Sequence, residues 1–266
     1  MNDRVRVSLE GALAYVTLNR PDKHNGVDLS MLDGVIAAQK RLRHMRELRA
    51  VILRGEGPSF CSGLDFKSVL GRPLQAAMSY AQLWWPFRNR FQTWSAGWRR
   101  VPVPVIALIH GNCFGAGLQL GLGADIRIAR PDARLSLLEA AWGLVPDMGG
   151  VLLMRELLPL DIAKELTMTG RIISGEEALS LGLVTHVSDN PEELALGLVA
   201  EIAARSPDSV AAAKRLLQQA WRKSDSRALG AERRWQRRVL GGKNQRIAMK
   251  RNRDKDESPF APRSLR

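Results

Sequence analysis

The parts of this 266-residue sequence that could do chemistry are a run of small residues and two carboxylates. Gly115, Ala116 and Gly117 follow a short apolar run, Val103 to Ile109, of strand length and β-branched character, which Gly111 ends. At the start of a helix, small residues let a ligand approach backbone N–H groups that the helix leaves unpaired. Glu139 and Asp147 come next, in a mostly apolar, glycine-rich neighbourhood. Backbone donors to hold an oxyanion, followed by carboxylates to move protons, make a workable catalytic kit. Leu135, Leu137, Leu138, Ala140 and Ala141 surround Glu139, and a carboxylate in apolar company should keep its proton to higher pH. The bland alternatives are a surface helix cap for Glu139 and, for Asp147, the N-cap of a helix starting near Met148.

The elements that must position these residues alternate between strand and helix. Val5–Leu9 and Leu13–Leu18 flank Gly11 and read as a β-hairpin. A turn-rich loop, residues 19–26, leads to Asp28, the expected N-cap of a helix running to about Leu48. Ala50–Leu53 and Asp125–Ala129 read as short strands. Between 75 and 100, the spacing of Trp84, Phe87, Phe91, Trp94 and Trp98 predicts one helical face, read chiefly as core packing. Helices are expected at 151–158 and 160–168, and a capping box at Ser174 opens another. A last strand is expected at 183–187. Asn190-Pro191 and Ser206-Pro207 start further helices, which continue to about Met249 and carry Trp221 and Trp235. Residues 250–266 read as poorly ordered or docked on a neighbour.

Composition is that of an ordinary globular protein, with no apolar run long enough to span a membrane and no apolar signal core at the start. Cys61 and Cys113 lack metal-ligand spacing and read as small buried thiols in a reducing, cytoplasmic setting. Of the net +13, nearly all lies in residues 205–266, with 18 Lys and Arg against 6 acidic residues. That reads first as solvated helix faces, then as attraction for an anionic small ligand, and only last as a nucleic-acid surface.

Four segments, LNRPDKHNG (18–26), GPSFCSGLDF (57–66), HGNCFGAGLQLGLGADIRIA (110–129) and GLVPDMGG (143–150), resemble the crotonase (enoyl-CoA hydratase/isomerase) superfamily in order and spacing. The resemblance runs from about Arg4 to Leu240. It implies an α/β spiral of β-β-α units over residues 1–200 that holds the acyl-CoA site. A helical C-terminal part, 201–266, would serve trimer or dimer-of-trimers assembly. The implied oxyanion donors are the backbone N–H groups of Leu64 and Ala116. Lys23, Ser62 and Asp65 fall on segments that approach coenzyme A in the family. Lys23 reads equally well as a solvated loop lysine, and Asp65 better as a helix cap. No cofactor is expected beyond the coenzyme A of the substrate, and no metal.

Where hydratases of the family commonly carry a catalytic Glu, this chain has Gln119, which cannot ionise near neutral pH but can hold a water or substrate. Glu139 matches the second hydratase carboxylate. Asp147 matches an Asp of members that shift double bonds. The residues therefore lean to double-bond isomerisation, with 2-enoyl-CoA hydration through Glu139 as the alternative and Gln119→Glu expected to raise hydration. A remoter alternative is an idle fold that binds CoA or RNA.

Overall fold

The first two apolar runs pair as an antiparallel hairpin, Val5–Glu10 (β1) on Leu13–Leu18 (β2), with Val5 opposite Leu18 and Glu10 opposite Leu13. The architecture is seen in a computed structural model that describes residues 3–65, 67–68, 81–84 and 86–265. Asp28 caps helix Leu29–His44 (α1) by accepting from Met31 N at 2.7 Å. Next come Ala50–Gly55 (β3), helix Arg90–Ala96 (α2), Val105–Ile109 (β4), Asn112–Phe114 (β5), helix Ala116–Leu122 (α3), Ile126–Ala129 (β6) and Arg134–Ser136 (β7). The second half adds helices Gly150–Met154 (α4) and Leu160–Thr169 (α5), strand Ile173–Ser174 (β8), helix Gly175–Ser180 (α6) and strand His186–Val187 (β9). Helices Pro191–Ala203 (α7), Pro207–Ala220 (α8), Asp225–Val239 (α9) and Lys243–Asp254 (α10) complete it.

One sheet runs in the order β1-β2-β3-β4-β6-β9, parallel from β2 onward, and a smaller one in the order β5-β7-β8. The two faces of the large sheet follow the period of two along each strand. Val51, Leu53, Val105 and Ala107 join the main core with α1 and α3, while Ile52, Ile106 and Ile128 pack on the α7 side with Ala195. Both faces are covered, which is why β2 to β4 read as apolar runs without clean alternation. After β4 the chain leaves one sheet for the other at Gly111. Its φ is +53°, and a Cβ there would lie 2.0 Å from Pro58 O, so glycine is required. The result is the α/β spiral with a helical C-terminal part that the sequence implied. Among the described residues no helix is long and apolar enough to cross a membrane.

Several local expectations change. The aromatic stretch is not one helix: the Asn89/Gln92 capping box restarts the chain at Arg90. Trp94 and Trp98 are fully buried and Phe91 half-buried, whereas Trp84 and Phe87 stand exposed. Trp85 and residues 75–80 lie outside the described residues. The helix expected at 151–158 stops at Met154, and the strand expected at 183–187 is only His186–Val187. Ser174 does cap α6, accepting from Glu177 N at 3.1 Å, but the Glu177 carboxylate pairs with Arg171 instead of closing a capping box. Asn190 makes no side-chain cap.

The C-terminal segment docks on its own chain. Arg263 is buried, its N–H donating to Arg46 O at 3.0 Å and its guanidinium to Met45 O at 3.1 Å. Helix α1 ends at His44, short of Leu48, and the carbonyls of Met45 and Arg46 just beyond it are met by the tail. Asp208, in the first turn of α8, accepts from Ser264 N at 2.7 Å, Leu265 N at 2.9 Å and Asn244 Nδ2 at 2.8 Å. Burial alone would raise the Asp208 carboxyl, but these hydrogen bonds outweigh it and hold it below the usual carboxylate range. A depressed pKa contributes stability that is complete above the ordinary carboxylate range and is lost as pH falls through the folded-state value. Hydrogen exchange at the Ser264 and Leu265 amides should therefore be slow at neutral pH and lose protection in acid. Asp208→Ala should lose it at every pH and cost about 3 kcal/mol in urea unfolding. Full protection in that variant would mean that the tail is held by other contacts.

Candidate active site

The site is built where the 61–65 loop crosses β5 and the start of α3. Cys61 N donates to Asn112 O at 3.0 Å and Phe114 N to Cys61 O at 2.9 Å, so the loop is bonded main chain to main chain. On its other side, Val27 N donates to Gly63 O at 2.8 Å and Asp65 N to Val27 O at 3.0 Å. In a parallel bridge of that kind the intervening residue, Leu64, turns its own N–H away from Val27, toward the β5 side. Gly115 has φ +50° and ψ −115°, a conformation open to glycine, and it delivers the chain into α3. Ala116, the first helical residue, has no intrahelical acceptor for its N–H. The indole of buried Trp94 fixes that turn by donating to Ala116 O at 2.8 Å. Leu64 and Ala116 line one cleft of about 410 Å³ with Phe114, Leu138, Trp142 and Met148, a volume suited to a small ligand.

Glu139 and Asp147 line the same cleft. Glu139 sits in the 3₁₀ turn Leu138–Trp142, close enough that a Cβ on Gly115 would lie 3.3 Å from its Oε1. Burial pushes its carboxyl up, hydrogen bonds including one from Gln119 pull it partly back, and the Asp147 charge adds to the rise. Asp147 still reaches solvent, yet the apolar wall behind it also raises its carboxyl. It does not cap α4: Gly149 holds that position. Gln119 departs from its expected place. It is fully buried, does not line the cleft, and donates from Nε2 to Glu139 Oε1 at 2.6 Å.

A second cleft, of about 540 Å³, adjoins the first at Ser62, Gly63, Leu64 and Trp142 and is lined by Arg20, Lys23 and Lys67. Lys23 is exposed there. The Ser62 hydroxyl donates to Lys23 O at 3.3 Å, tying the two loops together. Asp65 is engaged by protein groups: it accepts from Ser68 N at 3.1 Å and Ser68 Oγ at 2.6 Å and pairs with Arg20 at 2.8 Å. Burial would raise it, but the Ser68 hydrogen bonds and the Arg20 guanidinium hold it low. Lys67 and Trp142 were not singled out from sequence. The signal for Lys67 was a lysine just beyond a glycine-rich turn; for Trp142, a large ring in a loop rich in small residues. Among the described residues no group of three or more His, Cys, Asp or Glu could hold a metal ion.

The arrangement pairs main-chain donors with two carboxylates of raised pKa and a neighbouring basic cleft. Comparison with known proteins bears on the family of the chain. The enoyl-CoA hydratase/isomerase family profile matches residues 8–262. The chain is 32% identical over 213 residues to the (E)-benzylidenesuccinyl-CoA hydratase of Thauera aromatica, covering 79% of this chain and 80% of that one. It is 31% identical over 215 residues to the human mitochondrial Delta(3,5)-Delta(2,4)-dienoyl-CoA isomerase, covering 78% and 66%. Of curated relatives such as these, the chain spans 61% to 80% of the length. A Thermobifida fusca YX protein solved in complex with CoA superposes with a TM-score of 0.81 at 30% identity, covering 93% of this chain and 95% of that one. The chain thus belongs to the enoyl-CoA hydratase/isomerase family, a family of lyases and isomerases with the crotonase fold.

Proposed function

We propose that the protein isomerises a double bond in an unsaturated acyl-CoA thioester. The observation that carries this reading is that two carboxylates of raised pKa share one cleft with two main-chain N–H groups, while Gln119, buried behind them, cannot ionise. The thioester oxygen accepts from Leu64 N and Ala116 N. One carboxylate removes a proton from an acyl carbon, and the electron pair passes through the conjugated chain to that oxygen. The enolate collapses as the other carboxylic acid delivers a proton to a different carbon, so one proton leaves, one arrives and no electrons are lost. Burial suits both groups, since each is poised nearer the operating pH than a solvated carboxylate. Lys23 and Lys67 give the adjoining cleft positive charge for the CoA phosphates, the Arg20 charge being matched there by Asp65. Exposed Leu217, Trp221, Leu229, Leu240 and Met249 on and beside the C-terminal helices support a trimer or dimer of trimers.

Hydration of 2-enoyl-CoA is the second reading. It is favoured by Glu139 Oε2, a buried oxygen with no protein partner that could hold a water. The two readings separate on purified protein given 2-enoyl-, 3-enoyl- and dienoyl-CoA, followed by ultraviolet absorbance. Isomerisation should exceed hydration. Asp147→Asn should lower isomerisation by about 10²–10⁴-fold and hydration by less, and Glu139→Gln should abolish both. Efficient hydration indifferent to Asp147→Asn would leave Glu139 as sufficient catalyst and end the isomerase reading.

The oxyanion donors have their own test. Ala116 is the first residue of α3, a position that tolerates proline, so Ala116→Pro removes one N–H with little cost to the helix. Turnover should fall by about 10²–10³-fold with the circular dichroism spectrum retained. A folded variant with full activity would remove Ala116 from the site.

A further inference from the structure

The Gln119 side chain makes three hydrogen bonds. Its Oε1 accepts from Met148 N and Gly150 N, each at 2.9 Å, and its Nε2 donates to Glu139 Oε1 at 2.6 Å. A carboxamide has one oxygen and one NH₂ group. With the oxygen taken by two main-chain donors, the NH₂ end has to face Glu139, and an NH₂ group only donates. The assignment of the amide is therefore dictated by the turn before α4. Glu139 Oε1 is held as an acceptor in consequence, while Glu139 Oε2 is buried and has no protein partner. The fit at the turn is close. A Cβ on Gly150 would fall 2.7 Å from both Cγ and Oε1 of Gln119.

We propose that Gln119 is a positioning residue: pinned by the N–H groups of Met148 and Gly150, it occupies Glu139 Oε1 and confines the proton that Glu139 carries to Oε2. This rests on the acid/base role given to Glu139 above. Oε2 is then the atom through which Glu139 exchanges its proton with the acyl chain as the electron pair moves to or from the thioester oxygen, and Asp147 handles the proton at the other carbon. A glutamate in place of Gln119 would do the opposite of what the residue types suggest in isolation. It would set a second carboxylate against Oε1 with no proton to donate unless the pair shared one. The charged group set against Glu139 from the neighbouring turn is Asp147, which every variant below leaves in place.

The test reads the Glu139 carboxyl directly, by infrared difference spectra across a pH titration, its band identified by loss in Glu139→Gln. In the wild type the carbonyl stretch of protonated Glu139 should be lowered by the Gln119 hydrogen bond. In Gln119→Met it should move to higher wavenumber. The titration midpoint should also rise, because the donor that favoured the ionised form is gone. Gly150→Ala should move both in the same directions without altering Gln119 itself. In turnover assays the acid limb of kcat/KM should shift to higher pH in both variants, with a loss of about 10²-fold at the wild-type optimum. Gln119→Glu should give two coupled midpoints where the wild type gives one. Folded Gln119→Met with the Glu139 stretch and midpoint unchanged overturns the proposal. If that variant does not fold, Gly150→Ala decides on the same two readouts. Absence of turnover on every enoyl-CoA thioester would end the reading of the reaction and leave the infrared result to stand or fall alone.

Discussion

Main chain packed on main chain is the constraint from which the site follows. The 61–65 loop is hydrogen-bonded to β5 on one side and to Val27 on the other. At the crossing, a Cβ on Gly117 would lie 2.3 Å from Cys61 O, so the start of α3 approaches the loop as closely as two backbones can. That approach brings the N–H groups of Leu64 and Ala116 to one cleft without calling on any side chain to make the contact. Side chains enter as supports: Trp94 braces the α3 turn from the core, and Gln39 Nε2 braces Trp94 in turn through its carbonyl at 2.9 Å. Main-chain contacts of this kind hold the cleft's floor through hydrogen bonds and close packing alone.

What could be read from the residues was whatever is encoded locally. The hairpin, the Asp28 cap, the strand expected at 50–53 and the glycine turn into α3 each depend on neighbours within a few positions. The apolar flanks of Glu139 pointed to a raised pKa, though the burial that raises it is completed by other segments and the Asp147 charge adds to it. The features that escaped depend on distant segments. Five aromatics at helical spacing between 84 and 98 suggest one face, but Asn89 and Gln92 satisfy each other's backbone and restart the helix, leaving Trp84 and Phe87 outside. Gln119 was recognisable as a departure from a carboxylate. Its direction was not, because its partners, Met148, Gly150 and Glu139, belong to other elements. The 255–265 tail is polar and looked unable to fold, yet its burial is set by Asp208 and by two carbonyls at the end of α1.

The concentration of positive charge in the last quarter of the chain is partly internal. Lys214 is buried, its Nζ donating to Asp125 at 2.6 Å and to the carbonyls of Val103 at 3.0 Å and Trp98 at 3.3 Å. Burial lowers its pKa and the Asp125 charge opposes that. Arg215 reaches Arg100 O at 2.9 Å. These contacts fasten α8 to the same 98–103 segment that carries the chain from the buried tryptophans into β4, so the C-terminal helices and the site share one scaffold. A lysine placed this way is costly to leave unpaired.

The position of Trp142 gives the molecule an optical property. Its ring is 63% exposed and lies where the two clefts meet. Trp94 and Trp98 are sealed from water, so their fluorescence belongs to the blue, solvent-shielded part of the emission, while a wet indole emits further to the red. A thioester reaching from the basic cleft into the apolar one would have to pass this ring and dry it. Occupancy of the site would thereby move the Trp142 share of the emission to the blue, against a constant red contribution from exposed Trp84 and Trp221.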